Sequence, residues 1–414
     1  MGVARDWRDK ELSIGEVIKK YPHISPFVII KTDAQRRGVY YTEKALNKVD
    51  PNIHQVEYRG FSREKEDATP VSLILRDGTS ILTGFSVEEG KREPIVVDVI
   101  DDRIVLVDNG EILEEVEYWE KPDYYNKLTS SGKPMWQIAA ARPQRIDINP
   151  NQFCEFWETP GHGCKYCAIA ATYSSNKENK PKILNVDDIV ETVEEALKEP
   201  GRYESIFLTG GSILNGKELL DDEVDLYIEI LQRIGKNFGG KKFPSQLIGT
   251  AFNEEQLRRL YDTTGLTSYT ADIEVLDKDL FEWICPGKAA RIGYDEWKNR
   301  LYKAVEIFGV GNVTTGLVVG VEMATPNGFR TEEEALEKCL TEAEELAKHG
   351  VSTVGCVWTV APGSIFFNQM TPSLEYYIRF ADGLDQIRRR YNLNVDMDNY
   401  RRCGNHPDTD LSRI

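Results

Sequence analysis

The part of the chain after residue 144 alternates between apolar runs and amphipathic segments, and this alternation constrains the fold most strongly. Six runs of strand length are each followed by a helical pattern, at 145–149, 204–210, 246–252, 268–276, 312–320 and 352–360. Strands that alternate with helices form parallel sheets through right-handed crossovers. The pattern therefore predicts an α/β domain over residues 144–385, closed as a barrel or open as a doubly wound sheet. In both geometries the site lies at the carboxyl ends of the strands.

The first 125 residues follow a different pattern. Turn pairs separate short alternating apolar runs, which indicates hairpins, at Asp77-Gly78, Asp101-Asp102 and Asn109-Gly110. We therefore expect a small antiparallel β-rich module over residues 1–125, with short helical stretches near 14–20 and 42–47. The Gly- and Pro-containing segment 126–143 is predicted as a linker, and residues 386–414 as a C-terminal tail that could cover the mouth of the main domain.

The charge balance limits the choice of partners. With 51 Lys and Arg against 68 Asp and Glu, the chain carries a formal net charge of −17. Such a surface repels phosphate backbones and anionic membranes, so we expect no nucleic-acid partner and no membrane association. The charged N-terminus does not fit a secretory signal, which predicts a soluble cytoplasmic protein. In that reducing compartment, clustered cysteines point to metal binding or redox chemistry rather than disulfides.

Three of the seven cysteines form a C-x9-C-x2-C cluster that starts five residues after the first predicted strand, at Cys154, Cys164 and Cys167. Three thiolates suit a [4Fe–4S] cluster that keeps one iron open, because four would ligate it fully. Structural zinc sites need four protein ligands. His162 is a candidate for the fourth ligand, but it lies only two residues from Cys164, a spacing that would strain tetrahedral coordination. In the third interpretation, the three cysteines are buried and have only a structural role.

With an aromatic Tyr166 just before the last cysteine, the chain resembles the radical S-adenosylmethionine (SAM) superfamily over roughly residues 144–370. The resemblance implies a partial TIM-like (β/α)6 barrel preceded by the β-rich module. It also implies that SAM chelates the open iron through its amino and carboxylate groups, with Tyr166 near the adenine. The nine-residue spacer departs from the C-x3-C-x2-C spacing that is commonest in that family.

Further landmarks of the resemblance follow later strands in the expected order. Gly210 and Gly211 match the glycines of the family's Gly-Gly-Glu segment, which approach the SAM amino group, and Ser212 stands where Glu is usual. Glu274 matches a SAM ribose or amino contact. Arg291 is in place to pair with the SAM carboxylate.

The implied chemistry is reductive cleavage of SAM by the cluster to a 5′-deoxyadenosyl radical, which abstracts hydrogen from a small-molecule substrate in cofactor or natural-product biosynthesis or modification. An electron donor such as flavodoxin or ferredoxin is then needed. Two alternatives stay open: an Fe–S scaffold or carrier of the same fold without radical chemistry, and a zinc-stabilised binding module. The tail adds four polar groups that could ligate or contact substrate, at Cys403, His406, Asp408 and Asp410.

Overall fold

The computed structural model describes residues 11–58, 68–83, 92–176, 181–239, 241–393 and 404–413. The N-terminal module contains a six-stranded sheet in the order β1-β6-β7-β8-β4-β5 and a two-stranded ribbon of β2 and β3. Its strands are β1 Val39–Tyr41, β2 Val56–Tyr58, β3 Ala68–Pro70, β4 Ser72–Leu75, β5 Ser80–Leu82, β6 Ile95–Ile100, β7 Arg103–Asp108 and β8 Glu111–Tyr118. Its helices are α1 Ile14–Lys20, α2 Pro26–Arg37 and α3 Glu43–Leu46.

All three expected hairpin turns join antiparallel neighbours, β4 to β5, β6 to β7 and β7 to β8. The module is not purely antiparallel, because β1 pairs in parallel with β6, Val39 opposite Ile95. The sequence analysis also missed helix α2, which lies just before β1 in the chain. This helix is buried along most of its length, including its polar residues, so it lacks the clear amphipathic pattern of a surface helix.

The main domain is built on a seven-stranded sheet in the order β15-β14-β13-β12-β11-β10-β9. The strands are β9 Ala139–Arg142, β10 Arg145–Ile148, β11 Ser205–Leu208, β12 Ser245–Ile248, β13 Ser268–Thr270, β14 Val313–Val319 and β15 Ser352–Val357. The six strands from β10 to β15 are parallel throughout, as predicted. The sheet curls into a half-barrel, so the fold is a partial TIM-like α/β barrel rather than an open doubly wound sheet.

Helices follow each of these parallel strands. They are α4 Ile169–Asn176, α5 Val186–Ala196, α6 Asp221–Gly235, α7 Glu254–Thr263, α8 Lys278–Ile284, α9 Pro286–Arg291, α10 Tyr294–Phe308, α11 Glu332–Lys348 and α12 Leu374–Arg390, and a short α13 spans Pro407–Asp410. In α5 the side chain of Asn185 caps the first turn, and Ile189 and Val193 are fully buried against the sheet. Each such side chain contributes about 1.5–3 kcal/mol through burial. No described helix is apolar over enough length to span a membrane.

The segment 126–143, expected as a linker, contributes a strand to the main sheet. Its strand β9 pairs antiparallel with β10, Ala141 opposite Ile146. The Tyr124 hydroxyl just before it donates to the Ala139 carbonyl at 2.9 Å. A four-residue strand of three alanines and an arginine carries almost no β signal, because small side chains bury little surface by themselves.

The C-terminal residues 404–413 are buried between the N-terminal module and the barrel. Lys31 of α2 donates to Asp410 at 2.6 Å, with both side chains fully buried. Asp408 accepts from the Gly355 backbone N–H at 3.1 Å and from Arg388 at 2.6 Å. Cys403 lies outside the described residues. The tail therefore fastens the edge strand β15 and helix α12 to the module.

Candidate functional site

The loop that carries the three cysteines leaves the carboxyl end of β10 and runs along the end of the neighbouring strand β11. Two hydrogen bonds fix it there: the Gly211 N–H donates to the Asn151 carbonyl at 3.1 Å, and the Asn151 side-chain amide donates to the Gly211 carbonyl at 2.7 Å. A β-carbon on Gly211 would lie 2.1 Å from the Phe153 carbonyl oxygen. The glycine pair that the sequence singled out thus allows the cysteine loop to approach the sheet.

Cys154 is half-buried, and two backbone N–H groups point at its sulfur, those of Ser212 and Phe156. Burial raises the pKa of its thiol to about 11, and the two N–H donors oppose that rise. Such a thiol keeps its proton at neutral pH until a metal displaces it. The N–H donors are then in place to stabilise the resulting thiolate.

Cys164 and Cys167 lie on the far side of the same loop. Cys164 is 8% exposed, and the Cys167 sulfur accepts from the Ile169 N–H at 3.5 Å. Burial, with a further contribution from a charge on Cys164, raises the pKa of Cys167 to about 12. A negative charge on Cys164 also raises the pKa of Cys154, so the three thiols are close enough to interact electrostatically. Within the described ranges, no three His, Cys, Asp or Glu side chains are grouped to hold a single metal ion.

A fourth cysteine, Cys285, lies against Cys164, with the two thiols hydrogen bonded. Two backbone bonds flank this contact: the Lys165 N–H donates to the Ile284 carbonyl and the Gly287 N–H to the His162 carbonyl, both at 2.9 Å. The sequence reading set Cys285 aside as isolated. Only the packing of the corner between α8 and α9 against the cysteine loop brings it near.

A buried ion pair lies beside the cysteine loop, at the end of β13. Lys288 donates to Glu274 at 2.6 Å and to the Asp272 carbonyl at 2.7 Å, with the Lys288 and Glu274 side chains 11% and 13% exposed. Glu274 adopts a left-handed backbone with φ of 73°, in the segment after β13, which ends at Thr270 rather than at the predicted 276. Such strain in a non-glycine residue is kept where the surroundings require the conformation, often at functional sites.

The carboxyl group of Asp272 and the cation of Lys288 have shifted pKa values in this corner. Burial first, and the charge of Glu274 second, raise the pKa of Asp272 to about 7. The neighbouring Glu274 raises the pKa of Lys288 against the opposing effect of burial, so its ammonium stays charged. Arg291, the cation expected from the sequence, is exposed at the end of α9. Lys288, one helical turn earlier, is the cation that reaches Glu274.

The side chain of Ser212, at the position where the family carries Glu, turns into a small polar network. The Thr250 hydroxyl donates to Ser212 Oγ at 2.6 Å and also contacts the carboxyl group of Glu223. Glu223 is 2% exposed, and burial raises its pKa to about 7. Glu223 lies eleven positions after Ser212 in the chain. No local spacing pattern predicts that two residues this far apart come together.

Tyr166 connects the cysteine loop to a cavity of about 210 Å³. Its hydroxyl lies at the Cys164 thiol, and its ring lines the cavity together with Trp358 and Cys356 at the carboxyl end of β15. Opposite them lie Leu82 of the N-terminal module and Asn405 of the C-terminal segment. The cavity therefore opens beside the cysteines and is bounded by three parts of the chain.

The structure places a three-cysteine loop at the carboxyl edge of a parallel half-barrel, which is where the sequence predicts an iron–sulfur site. Residues 155–330 match the family model described as the radical SAM superfamily, a range that starts directly after Cys154 and includes Cys164, Cys167 and Glu274. Over this range the chain contains a radical SAM domain, and it is an enzyme of the radical SAM class. The domain implies a [4Fe–4S] cluster and SAM as cofactors.

One curated relative and two solved structures can be compared with this chain. Over 340 residues the chain is 22% identical to bacteriochlorophyllide c C-7(1)-hydroxylase of Chlorobaculum limnaeum, covering 79% of this chain and 80% of that protein. Methylornithine synthase is 13% identical over 61% of this chain and 70% of its own, with a TM-score of 0.41. A radical SAM methyltransferase from Sphaerobacter thermophilus is 10% identical over 91% and 92%, also with a TM-score of 0.41.

The residues at the site fit the cofactors that the family implies. Three buried or half-buried thiols with N–H donors at two of the sulfurs suit a cluster of thiolate-bound irons. A carboxylate and an ammonium lie beside them at Glu274 and Lys288, in reach of a zwitterionic amino-acid group. The donor set is thus soft where iron and sulfide would bind and charged where SAM would bind.

Proposed function

We propose that Cys154, Cys164 and Cys167 hold the [4Fe–4S] cluster, and that the enzyme abstracts hydrogen from an unactivated carbon of a small-molecule substrate. When bound, the cluster and SAM together supply the 5′-deoxyadenosyl radical for this step. The observation that carries the proposal is the single loop that places three cysteines at the carboxyl edge of the half-barrel, beside the ion pair of Glu274 and Lys288. The reductant would be a small electron carrier such as flavodoxin or ferredoxin.

The other site residues would bind and orient SAM. Glu274 would accept from the amino group or ribose, and Tyr166 would lie along the adenine. Gly210, Gly211 and Ser212 would present backbone groups to the amino group beside Cys154. Lys288 would pair with the carboxylate of SAM, and Arg291 is the alternative. Lys288 is preferred because it lies largely buried beside Glu274, whereas Arg291 is exposed.

Hydroxylation is a candidate for the outcome of the reaction. The supporting observation is the relative from Chlorobaculum limnaeum, a hydroxylase that shares 22% identity with this chain over about four-fifths of both. The carbon that loses hydrogen would then give up one further electron to the oxidised cluster or to the electron carrier, and would take a hydroxyl group from water with release of a proton. Mass spectrometry of a converted substrate, after growth or assay in water labelled with heavy oxygen, would detect the added atom.

The experiment that tests the function is anaerobic reconstitution with iron and sulfide, followed by dithionite and SAM. We expect 5′-deoxyadenosine and methionine from the wild type and from Cys339→Ala, a buried cysteine of α11 away from the loop. Replacement of Cys154, Cys164 or Cys167 by Ala should abolish both products and lower the iron content. Bound SAM without any 5′-deoxyadenosine would overturn the proposed radical chemistry, and a loaded cluster without SAM binding would favour the Fe–S carrier.

A further inference from the structure

The described residues that line the cavity beside Tyr166 are uncharged. Of these thirteen residues, all in the part of the chain that the structure describes, none is Asp, Glu, Lys, Arg or His, although 29% of the chain is charged. An ionised group placed there would lose hydration without meeting a counter-charge from these residues, which is costly. The lining instead offers apolar side chains with a few amide and hydroxyl groups, at Gln35, Thr83 and Asn405. Such a surface selects an uncharged, mainly apolar ligand.

The wall that faces Tyr166 belongs to the N-terminal module and is fixed to the C-terminal segment. The Gly404 carbonyl accepts from the Leu82 N–H at 3.1 Å and from the Gln35 amide at 2.5 Å. Close by, the buried pair of Lys31 and Asp410 fastens the same helix to the same segment. Because these buried contacts hold the wall in place, its separation from the cysteine loop is fixed.

The size of the cavity limits what enters it. About 210 Å³ is less than the roughly 300–1,000 Å³ typical of sites that enclose a drug-sized ligand. A compact part of a molecule, such as one or two rings, fills this volume. The cavity lies at the carboxyl ends of β14 and β15, through Val318 and Cys356, and next to the cysteine loop through Tyr166. A carbon bound there is near the proposed cluster.

We propose that this cavity is the substrate site, that the N-terminal module forms one of its walls, and that it takes an uncharged, largely apolar part of the substrate. The proposal rests on the proposed function and adds the substrate class to it. It also assigns a role to the β-rich module: residues far from the cysteine loop in sequence, Gln35 and Leu82, help to choose the substrate.

A pair of dyes that differ by one charge tests the proposal. N-phenyl-1-naphthylamine is uncharged, and 8-anilinonaphthalene-1-sulfonate has the same ring skeleton with a sulfonate. In fluorescence titrations of the reconstituted holoenzyme, we expect one neutral dye per chain, bound at least about tenfold more tightly than the anion. Equal affinity for the two dyes would overturn the selection by charge. Because Tyr166 would also face the adenine, the titrations are repeated with SAM at saturation. Loss of the neutral-dye site under saturating SAM would assign the cavity to the cofactor and overturn the proposal.

Variants on both sides of the cavity locate the dye. Leu82→Trp from the module and Thr359→Trp from the barrel should each weaken neutral-dye binding at least tenfold, because the indole fills the space. The control is Ile112→Trp, which adds the same group at a 49% exposed position of the module outside the cavity. Variants are compared only when thermal unfolding is cooperative and the iron content matches that of wild type.

A further variant keeps the test informative if Leu82→Trp does not fold. Leu82→Lys places a cation in the wall and should shift the preference toward the sulfonated dye. If Thr359→Trp weakens binding while both Leu82 variants behave like Ile112→Trp, the module is not a wall of the site. Formation of 5′-deoxyadenosine by the wild type decides the proposed function separately, since dye binding needs no SAM cleavage.

Discussion

Gly211 lies directly against the backbone of Phe153, with its missing β-carbon directed 2.1 Å from the Phe153 carbonyl oxygen. Phe153 immediately precedes Cys154, so this contact sets how closely the cysteine loop approaches the end of β11. The same glycine exchanges hydrogen bonds with Asn151 at the start of the loop. A residue selected from the sequence for SAM binding therefore also supports the cluster loop.

Gly211→Ala should reduce cluster loading. The methyl group would collide with backbone rather than with a flexible side chain, so the loop must shift, at a cost of about 1–3 kcal/mol. Iron and sulfide per chain after anaerobic reconstitution measure the effect, and we expect a small fraction of the wild-type content. Gly15→Ala in α1 is the control, because nothing lies within 4 Å of its added carbon. Full loading of Gly211→Ala would contradict this role.

Lys288→Met should weaken SAM binding by roughly 10- to 100-fold, the range expected for one lost hydrogen bond to a charged group. The matched control is Lys278→Met. Lys278 is an exposed lysine of α8 that pairs with Asp295 of α10. Equilibrium dialysis with labelled SAM on cluster-loaded protein gives the affinities. Arg291→Met discriminates between the two candidate cations: a large effect there and none at Lys288 would restore the assignment made from the sequence.

Much of the barrel could be predicted because its strands and helices carry local patterns. The six apolar runs begin within one residue of the observed strands, although several strands end earlier than predicted, the fourth at Thr270 rather than at 276. The hairpin turns of the module were found from Asp-Gly, Asp-Asp and Asn-Gly pairs. Helix α2 and strand β9 were missed, since one buries polar residues in tertiary ion pairs and the other is made of small residues. Hydrophobic periodicity is a local pattern, so it cannot predict tertiary ion pairs or the packing of small side chains.

The cysteine loop could be placed at the site because a loop after a parallel strand must lie at the carboxyl edge. Lys288 and Cys285 were not predicted, because their nearness to Glu274 and Cys164 depends on how α9 turns back over the loop. The cavity beside Tyr166 was also beyond prediction. Its walls come from positions as distant as Gln35, Tyr166 and Asn405, and only the packed fold brings them together.

Lys31→Met should destabilise the protein by about 3–5 kcal/mol, because it leaves the carboxylate of Asp410 buried without its ion-pair partner. Replacing both, as Lys31→Met with Asp410→Leu, should recover much of this loss. Urea unfolding measures each free energy. The exposed ion pair of Lys20 with Glu375 is the comparison, and Lys20→Met should have a much smaller effect. Equal losses for Lys31→Met and Lys20→Met would exclude a fastening role.

Glu322 should make the stability of the protein fall as the pH rises from about 4.5 to 7. It is 2% exposed, accepts from the Tyr376 hydroxyl and from the Gly320 N–H at 2.8 Å, and burial raises its pKa to about 7. The folded protein therefore holds a proton that the unfolded chain releases in this range. Its contribution is complete below the unfolded pKa and is lost as the pH passes the folded one.

Glu322→Gln should remove the part of the pH dependence that comes from Glu322, while Asp272 and Glu223, whose pKa values burial also raises to about 7, keep their contributions. At about 1.4 kcal/mol per pKa unit, the wild type loses about 3 kcal/mol relative to the variant between pH 4.5 and 8. Urea unfolding across this range gives the two slopes. Glu337→Gln, at an exposed position of α11, should follow the wild type. If Glu322→Gln kept the wild-type slope, the carboxyl group of Glu322 would have to be ionised in the folded protein, and the buried hydrogen bond with Tyr376 would be one to a carboxylate.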